Sequence, residues 1–543
     1  MTQKQRTSIL MALLPLLIAV IIMIPRLRSP QFGLLDDFSM LSNARNILQG
    51  DWSMSHDLQA GRFRPVYWLY YTVIYAVAGS RPFWFFFAQM TLLLILVLEI
   101  RALMKMFGAN DVQILIASLV FVLSMPVIEN FYTLSKGEPL QLVFLLASLL
   151  SFEKITSSQS NSRKFLFTTL AFFSVLSAML VKETAIIMIP IVGLWLGYAL
   201  LFQKRTPSQN RLALLLFLGA VALAVAAYFG LRSVWGTATI SGGTYTKRYD
   251  LNVQDMIPRV LRWATMYAFY FHYLLPLAIL SFVAIAANKV KEQQQQRLFN
   301  WAAWVALWMA VLLPWEYAEV YYLLPFGLGI AVLVGHLSPS IFALFKSAKP
   351  AIRWVSFPLV ALTLLLFLAT LPNFLTHGRM QLAFDRANAM MLESVAQIVP
   401  QNGDLFNGLD SKNEYERMIQ KYFQDFAGRS DISYAFIEKE VFENLPRSSK
   451  GIVILPFIEN QPNLTVRAGT EERYSMEHRR VIFQKMDHNL IPIAEFIKNF
   501  QIFNINFPVL LCPFLNRAGF CEIPDPVIDL TMFSYGWEVY QIP

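Results

Sequence analysis

The chain has 543 residues, of which 56% are hydrophobic, 14% are aromatic and only 15% are charged, with a mean hydropathy of +0.46. This composition excludes an ordinary soluble protein and indicates a polytopic α-helical membrane protein. The net charge of +9 does not indicate nucleic-acid binding, because the basic residues lie in short clusters between apolar runs instead of on one face.

Apolar runs that approach the roughly 20 residues needed to cross a bilayer recur along the first two thirds of the chain. We predict about eleven spans, at residues 8–25, 83–103, 112–128, 139–152, 165–181, 184–202, 212–231, 264–288, 299–314, 321–340 and 354–372. Lys4 and Arg6 precede the first run and no small-residue cleavage site follows it, so we expect a retained anchor and a cytoplasmic N-terminus.

The basic residues support one orientation in the plasma (inner) membrane. Every loop that this count places in the cytoplasm carries Lys or Arg, as the positive-inside rule requires. The alternate loops would meet on the outer face; they are 26–82, 129–138, 182–183, 232–263 and 315–320. An odd number of spans also places the C-terminal region outside, so we predict a transmembrane domain at 1–372 and an extracytoplasmic soluble α/β domain at 373–543.

The C-terminal region has helical patterning at 381–398 and 413–426 and a strand-like run at 451–455. It also contains the two cysteines of the chain, Cys512 and Cys521. A disulfide between them fits an oxidising compartment, and two free thiols are the alternative.

Several catalytic motifs are absent from the sequence. The chain has no GxGxxG, no Walker-type GxxxxGK[ST], no HExxH and no Cys/His cluster with metal-ligand spacing. Transport driven by nucleotide binding within this chain therefore has no support.

Two adjacent carboxylates, Asp36 and Asp37, follow the first apolar run. Ionisable groups at a bilayer boundary are costly to keep, so such a pair is a candidate functional site. Leu41, Ala44 and Leu48 follow at helical spacing, which predicts a short helix along the membrane surface. A carboxylate there could accept a proton from a hydroxyl group; the alternative is that Asp37 only caps the helix.

A family resemblance extends from this loop along the membrane half. The motifs that carry it are Asp36-Asp37, Arg45, Gly50-Asp51-Trp52, the run Gly61 to Trp68, Ser135 to Pro139, Leu180 to Thr184 and Tyr321 to Pro325. The chain resembles the membrane-embedded C-superfamily (GT-C) glycosyltransferases, which use polyprenyl-phosphate sugars and include protein O-mannosyltransferases and the lipid A aminoarabinose transferase. In that family the segment corresponding to residues 65–79 packs along the outer surface, so it is not counted as a span.

The resemblance implies roles for individual residues. Asp36 would be the catalytic base, and Asp37, the second carboxylate of the catalytic pair, or Glu138 would orient the acceptor or a divalent ion. The cations for the donor phosphate would be Lys182, Arg62 and Arg64, and the groups that orient the acceptor or a divalent cation would include Glu138, Glu183 and Arg45. The alternatives are ion pairing at helix ends and contacts with lipid headgroups. The sequence departs from the family at Glu316 and Glu319, where relatives commonly carry a basic residue.

These observations predict a glycosyltransferase that moves a sugar from a polyprenyl-phosphate donor to a hydroxyl of an envelope glycan, lipid or protein, with inversion at the anomeric carbon. The alternatives are a transporter or lipid flippase, and a non-catalytic assembly scaffold. A transporter would place ionisable residues in the middle of its spans, often on interrupted helices. Here the carboxylates cluster in outer loops, which favours the enzyme.

Overall fold

A computed structural model describes residues 3–34, 36–52, 57–58, 61–202, 208–235, 253–287, 289–290, 292–315, 319–346, 349–407, 415–436, 451–458, 479–485 and 534–541. The predicted pair Cys512 and Cys521 lies outside these residues, as does Glu316.

The N-terminal two thirds of the chain is helical. Its helices are α1 (Gln3–Arg28), α2 (Asp37–Leu48), α3 (Pro65–Ala78), α4 (Pro82–Met106), α5 (Asp111–Val122), α6 (Met125–Tyr132), α7 (Glu138–Ser157), α8 (Asn161–Val181), α9 (Met188–Leu201), α10 (Ser208–Val234), α11 (Val253–Tyr270), α12 (Leu274–Ala286), α13 (Glu292–Leu312), α14 (Leu324–Phe345) and α15 (Pro350–Ile398). Short 3-10 turns at Glu183–Ile187 and Val320–Leu323 precede α9 and α14.

The chain is a multi-pass membrane protein. Within the described residues, eight helices are long and apolar enough to cross a membrane, and the number is ten if each of two bent pairs is one span. The bent pairs are α5 with α6, at 57°, and α11 with α12, at 80°. The predicted count of eleven also includes the run at 299–314, which lies in α13. That helix is not among those apolar enough to cross a membrane, because its first turns are polar.

Two short helices, α2 and α3, occupy the first predicted outer loop and pack against each other. Pro65 stands at the start of α3, where its missing N–H costs nothing. The helix ends at Gly79, whose φ of 61° favours glycine. Tyr67, Trp68 and Tyr71 of α3 are buried, so this helix packs its aromatic face against the membrane helices.

The last long helix, α15, has 49 residues and runs through residue 372, the predicted domain boundary. Apolar residues dominate its first half, and polar residues such as Gln381 and Asp385 become frequent in its second half. The C-terminal region therefore joins the membrane half through a continuous helix.

A five-stranded mixed sheet follows α15, in the order β2-β1-β3-β5-β4. Its strands are β1 (Asp404–Asn407), β2 (Ser433–Phe436), β3 (Gly451–Ile458), β4 (Arg479–Lys485) and β5 (Ser534–Gln541). Strands β1, β2 and β3 are parallel, and β5 runs antiparallel to both β3 and β4. A short helix, α16 (Tyr415–Lys421), continues into a π-helical turn at Tyr422–Phe426.

Candidate functional site

The turn before α2 places its two aspartates in different environments. Asp36 has a left-handed backbone with φ of 61°, is exposed, and makes no capping hydrogen bond with its side chain. A positive φ is uncommon for residues other than glycine, and such conformations cluster at functional sites. Asp37 is only 3% exposed, and its Oδ2 accepts a hydrogen bond of 2.7 Å from the Gly33 N–H. Asp37 thus closes the turn, and the residue at the cap position of α2 is Asp36.

The surroundings of Asp37 favour its neutral form. Burial and the nearby Asp385 carboxylate raise the pKa of Asp37 well above its usual range. The Gly33 N–H and the Arg26 guanidinium oppose this shift without reversing it. The exposed member of the pair is Asp36.

Tyr67 of α3 joins the first predicted outer loop to the second. Its hydroxyl donates a 2.8 Å hydrogen bond to the Ser135 carbonyl, and Ser135 itself has a φ of 59°. Burial raises the pKa of Tyr67, Arg64 lowers it, and Asp36 raises it further, so charges of both signs lie close to this ring. The sequence motifs did not single out Tyr67, although it lies within the run that carries the family resemblance.

A second group of charged residues forms where α7 begins and α8 ends. The Lys182 Nζ pairs with the buried Glu138 carboxylate and lies 4.3 Å from the centre of the Tyr322 ring. Gln141 donates a 2.7 Å hydrogen bond to the Lys182 carbonyl, which fixes the backbone of this turn. Glu138 stands at the first position of α7, where the helix dipole favours a negative charge. The second and third predicted outer loops therefore meet here, beside the short turn at Val320–Leu323 that precedes α14.

The two arginines of the first outer loop differ in their contacts. Arg64 forms a bidentate pair with Asp57, with bonds of 3.0 and 2.7 Å, and its guanidinium lies 4.5 Å from the Tyr67 ring centre. Trp68 donates a further hydrogen bond of 2.5 Å to Asp57. Although burial raises the pKa of Asp57, Arg64 and these bonds hold it below its usual value.

Arg62 lies near the group of charged residues around Lys182. Burial and the neighbouring Arg64 lower the pKa of Arg62, whereas the Glu183 and Asp57 carboxylates raise it. Lys182 is also within range of the Arg62 charge. The loop is held in place by Arg232 of α10, which donates a 2.7 Å hydrogen bond to the carbonyl next to Arg62, that of Gly61.

Arg45 contacts the C-terminal region. Its Nη2 lies 2.6 Å from the Asp425 Oδ1, and its Nη1 donates to the Asp425 carbonyl at 3.1 Å. Ser42, one turn earlier in α2, donates to the other Asp425 oxygen at 2.6 Å. Asp57 and Asp425 are partners that sequence reasoning missed, because acidic residues without a motif give no local signal.

A further cation, Lys136 of the second predicted outer loop, lies against the turn that precedes α14. The Lys136 Nζ lies 3.9 Å from the centre of the Tyr321 ring. Desolvation by the surrounding protein and the neighbouring Glu129 carboxylate raise the pKa of Glu319 above its usual value, whereas Lys136 and His377 lower it. Glu129 pairs with His377 of α15, a contact that the sequence motifs did not indicate.

Two carboxyl groups at the aspartate turn have protein partners. Asp37 accepts a hydrogen bond from the Gly33 N–H, and the nearby Asp385 pairs with Arg26. Across the part of the chain that the structure describes, no group of three or more His, Cys, Asp and Glu side chains could hold a metal ion.

Comparison with known proteins identifies similar folds among solved structures. No family model and no curated protein matches the chain. ArnT from Cupriavidus metallidurans bound to undecaprenyl phosphate is 12% identical, with a TM-score of 0.48, and the match covers 87% of this chain and 95% of ArnT. The Archaeoglobus fulgidus oligosaccharyltransferase in its apo form is 10% identical, with a TM-score of 0.49 and coverage of 98% and 88%. Its complex with Zn and sulfate has the same identity and coverage and a TM-score of 0.46.

These similarities are likenesses of fold at low sequence identity. At identities of 10–12% and TM-scores below 0.5, they assign no role to a residue. The roles proposed below are inferred from the contacts within this chain.

Proposed function

We propose that this chain is an integral membrane glycosyltransferase. It moves a sugar from a polyprenyl-phosphate donor to a hydroxyl of a cell-envelope glycan, lipid or protein at the outer face of the plasma membrane. The observation that supports this proposal has two parts: Lys182 and Arg62 lie near Tyr322, and the exposed carboxylate of Asp36 is close enough to Tyr67 to raise its pKa. Undecaprenyl phosphate, the lipid in the ArnT structure, is a polyprenyl phosphate, the kind of carrier lipid that such a donor would release.

The proposed reaction is a direct displacement. The Asp36 carboxylate accepts the proton of the acceptor hydroxyl while that oxygen forms a bond to the anomeric carbon of the sugar. The bond between the anomeric carbon and the phosphate oxygen breaks, and its electron pair leaves with the lipid phosphate. Attack from the side opposite the leaving group inverts the anomeric centre.

A cation cluster, formed by Arg62, Arg64 and Lys182, stabilises the departing phosphate in this scheme. Lys182 and Arg62 lie near the same tyrosine and carry donor hydrogens that can bind phosphate oxygens. We propose that Arg64 holds the loop through Asp57, and that Arg45 docks α2 through Asp425. In the same scheme Glu138 and Glu183 keep the cations in place before the donor binds.

The proposed topology has a cytoplasmic N-terminus, about eleven spans and an extracytoplasmic C-terminal domain. Its support is that every loop placed in the cytoplasm carries Lys or Arg, as the positive-inside rule requires. Under this topology Asp36, Tyr67 and Lys182 lie on the outer side, where a lipid-borne sugar and an envelope acceptor can meet.

A lipid or polysaccharide flippase is the second candidate, and the two bent helix pairs favour it, since interrupted helices are common in transporters. A flippase moves the lipid-linked sugar across the bilayer but leaves the bond between sugar and phosphate intact. Measuring free polyprenyl phosphate in proteoliposomes that contain donor and acceptor separates the two functions.

The test of the proposed enzyme is mass spectrometry of envelope glycans, lipid A-type lipids and surface proteins from cells with and without the chain. The expected result is loss of one sugar residue from one acceptor class, together with accumulation of the intact donor. Unchanged envelope components, or donor that accumulates only on the cytoplasmic side, would contradict the proposed transfer.

A further inference from the structure

A buried ion pair connects the end of α1 with the second half of α15. Arg26 is 1% exposed and Asp385 is 2% exposed, and the Arg26 Nη2 bonds to the Asp385 Oδ2. The same nitrogen donates to the Gln31 carbonyl at 3.0 Å, and the guanidinium lies 3.9 Å from the centre of the Phe86 ring. Since a buried charge that loses its partner is strongly destabilising, the two residues hold α1 and α15 together.

Asp385 also contacts the aspartate turn. A side-chain carbon built on Gly33 would lie 3.2 Å from the Asp385 Oδ1 and 3.3 Å from the Asp37 Oδ2. The α-carbon of Gly33 is therefore packed between two carboxyl groups, and the N–H of the same residue bonds to Asp37. A movement of Asp385 would shift this turn, and Asp36 directly precedes Asp37 at its end.

The second half of α15 is itself fixed by the C-terminal sheet. Asn388 lies one turn after Asp385, and its Oδ1 accepts a 2.9 Å hydrogen bond from the indole N–H of Trp537 in β5. Trp537 is fully buried. Residues three apart lie on the same side of a helix, so the sheet and the aspartate turn contact one face of α15.

We propose that Asp385 is a positioning residue for Asp36, and that it acts through Arg26 and Gly33 to hold the turn from which the Asp36 carboxylate projects. On this proposal, the C-terminal half of α15 sets the geometry of the Asp36 carboxylate, which lies more than 340 residues earlier in the chain. This inference rests on the proposed glycosyl transfer for its effect on turnover, and on the contacts alone for its effect on the turn.

The experiment uses the full chain in detergent or nanodiscs, with Asp385→Asn and Asp385→Ala. The matched control is Asp431→Asn, which removes a carboxylate that pairs with Arg429 in the same region of the chain. Hydrogen exchange of the peptides that cover residues 31–40 reports the turn. Turnover per folded molecule, separated into kcat and the KM for the lipid-linked donor, reports the chemistry.

In Asp385→Ala we expect faster exchange at residues 31–40 and a fall in kcat of about 30-fold to 100-fold, since small misplacements of a catalytic group have effects of this order. The KM for the donor should change less than about twofold, because the cation cluster is intact. Asp385→Asn keeps an oxygen for Arg26 and should lie between Asp385→Ala and the wild type. The control should match the wild type in both measurements.

A purely structural role for the pair predicts a different result: a lower melting temperature with unchanged kcat per folded molecule and unchanged exchange at 31–40, which would overturn the proposal. If Asp385→Ala does not fold, Arg26→Gln with Asp385→Asn leaves no unpaired buried charge and serves the same test. If the wild type transfers no sugar, the proposed function fails, and the exchange at 31–40 still decides whether Asp385 holds the turn.

Discussion

The two ends of the candidate site differ in how their charges are balanced. At the aspartate turn, the three carboxyl groups of Asp36, Asp37 and Asp385 face one guanidinium, that of Arg26. At the cation cluster, three cations face three carboxylates; the cations are Arg62, Arg64 and Lys182 and the carboxylates are Asp57, Glu138 and Glu183.

The physical requirements of the two roles explain this difference. A general base needs a carboxylate that is open to its substrate, and Asp36 is exposed while its neighbour is buried. In a partly buried phosphate site, the cations need counter-charges while no phosphate is bound, because unpaired buried charges are destabilising. We infer that the phosphate must compete with Glu138 for Lys182.

The largest expected effect comes from Asp36→Asn. Removing a general base typically costs 10²- to 10⁴-fold in rate, so we expect transfer to fall about 10³-fold. Asparagine tolerates a positive φ, which preserves the turn. Stability should change little, since Asp36 is exposed and makes no capping bond. The measurement is single-turnover transfer with purified donor, alongside thermal unfolding. Transfer within tenfold of the wild type would contradict a general-base role for Asp36.

The second-largest effect is expected when the ion pair between Lys182 and Glu138 is removed. Lys182→Met together with Glu138→Gln removes the ion pair without leaving a buried unpaired charge. Because a hydrogen bond to a charged group contributes about 1.5–3 kcal/mol, we expect the donor KM to rise about 10- to 100-fold. Glu138→Gln alone is the control and should lower the donor KM, since it removes the competitor. Equal donor binding in the double variant and the control would exclude Lys182 as a phosphate ligand.

A smaller effect is expected at Arg45. The Arg45 and Asp425 side chains are 32% and 23% exposed, and ion pairs at such positions contribute about 0.2–1 kcal/mol. Arg45→Ala should therefore lower the free energy of unfolding by no more than about 1 kcal/mol. Adding Asp425→Ala to this variant should lower it no further. A double-mutant cycle by chemical denaturation measures the coupling. Loss of transfer at unchanged stability would instead assign Arg45 to the substrate site.

The smallest effect on transfer is expected for Asp37→Asn, within about twofold of the wild type, because the amide oxygen can still accept the Gly33 hydrogen bond. Since the folded pKa of Asp37 is raised, its proton stabilises the fold fully at acid pH, and this contribution is lost as pH rises. Melting curves from pH 5 to pH 8 should show the variant gaining stability relative to the wild type. A constant difference would contradict the neutral form of Asp37.

Much of the membrane half could be predicted from local pattern. Ten of the predicted spans coincide with candidate spans or bent pairs, because hydropathy over about 20 residues reports directly on transfer into a bilayer. The helix after Asp37 and the strand that begins at Gly451 were also predicted near their observed positions.

What the sequence by itself determined is therefore the membrane class of the protein and the residues from which a site could be built. Only the tertiary structure distinguished Asp36 from Asp37, paired Arg26 with Asp385 at a separation of 359 residues, and paired Arg45 with Asp425 at a separation of 380. Hydropathy acts on each segment separately and can be read along the chain. The charge state and the partner of a side chain depend on distances and burial that arise only when distant segments pack together.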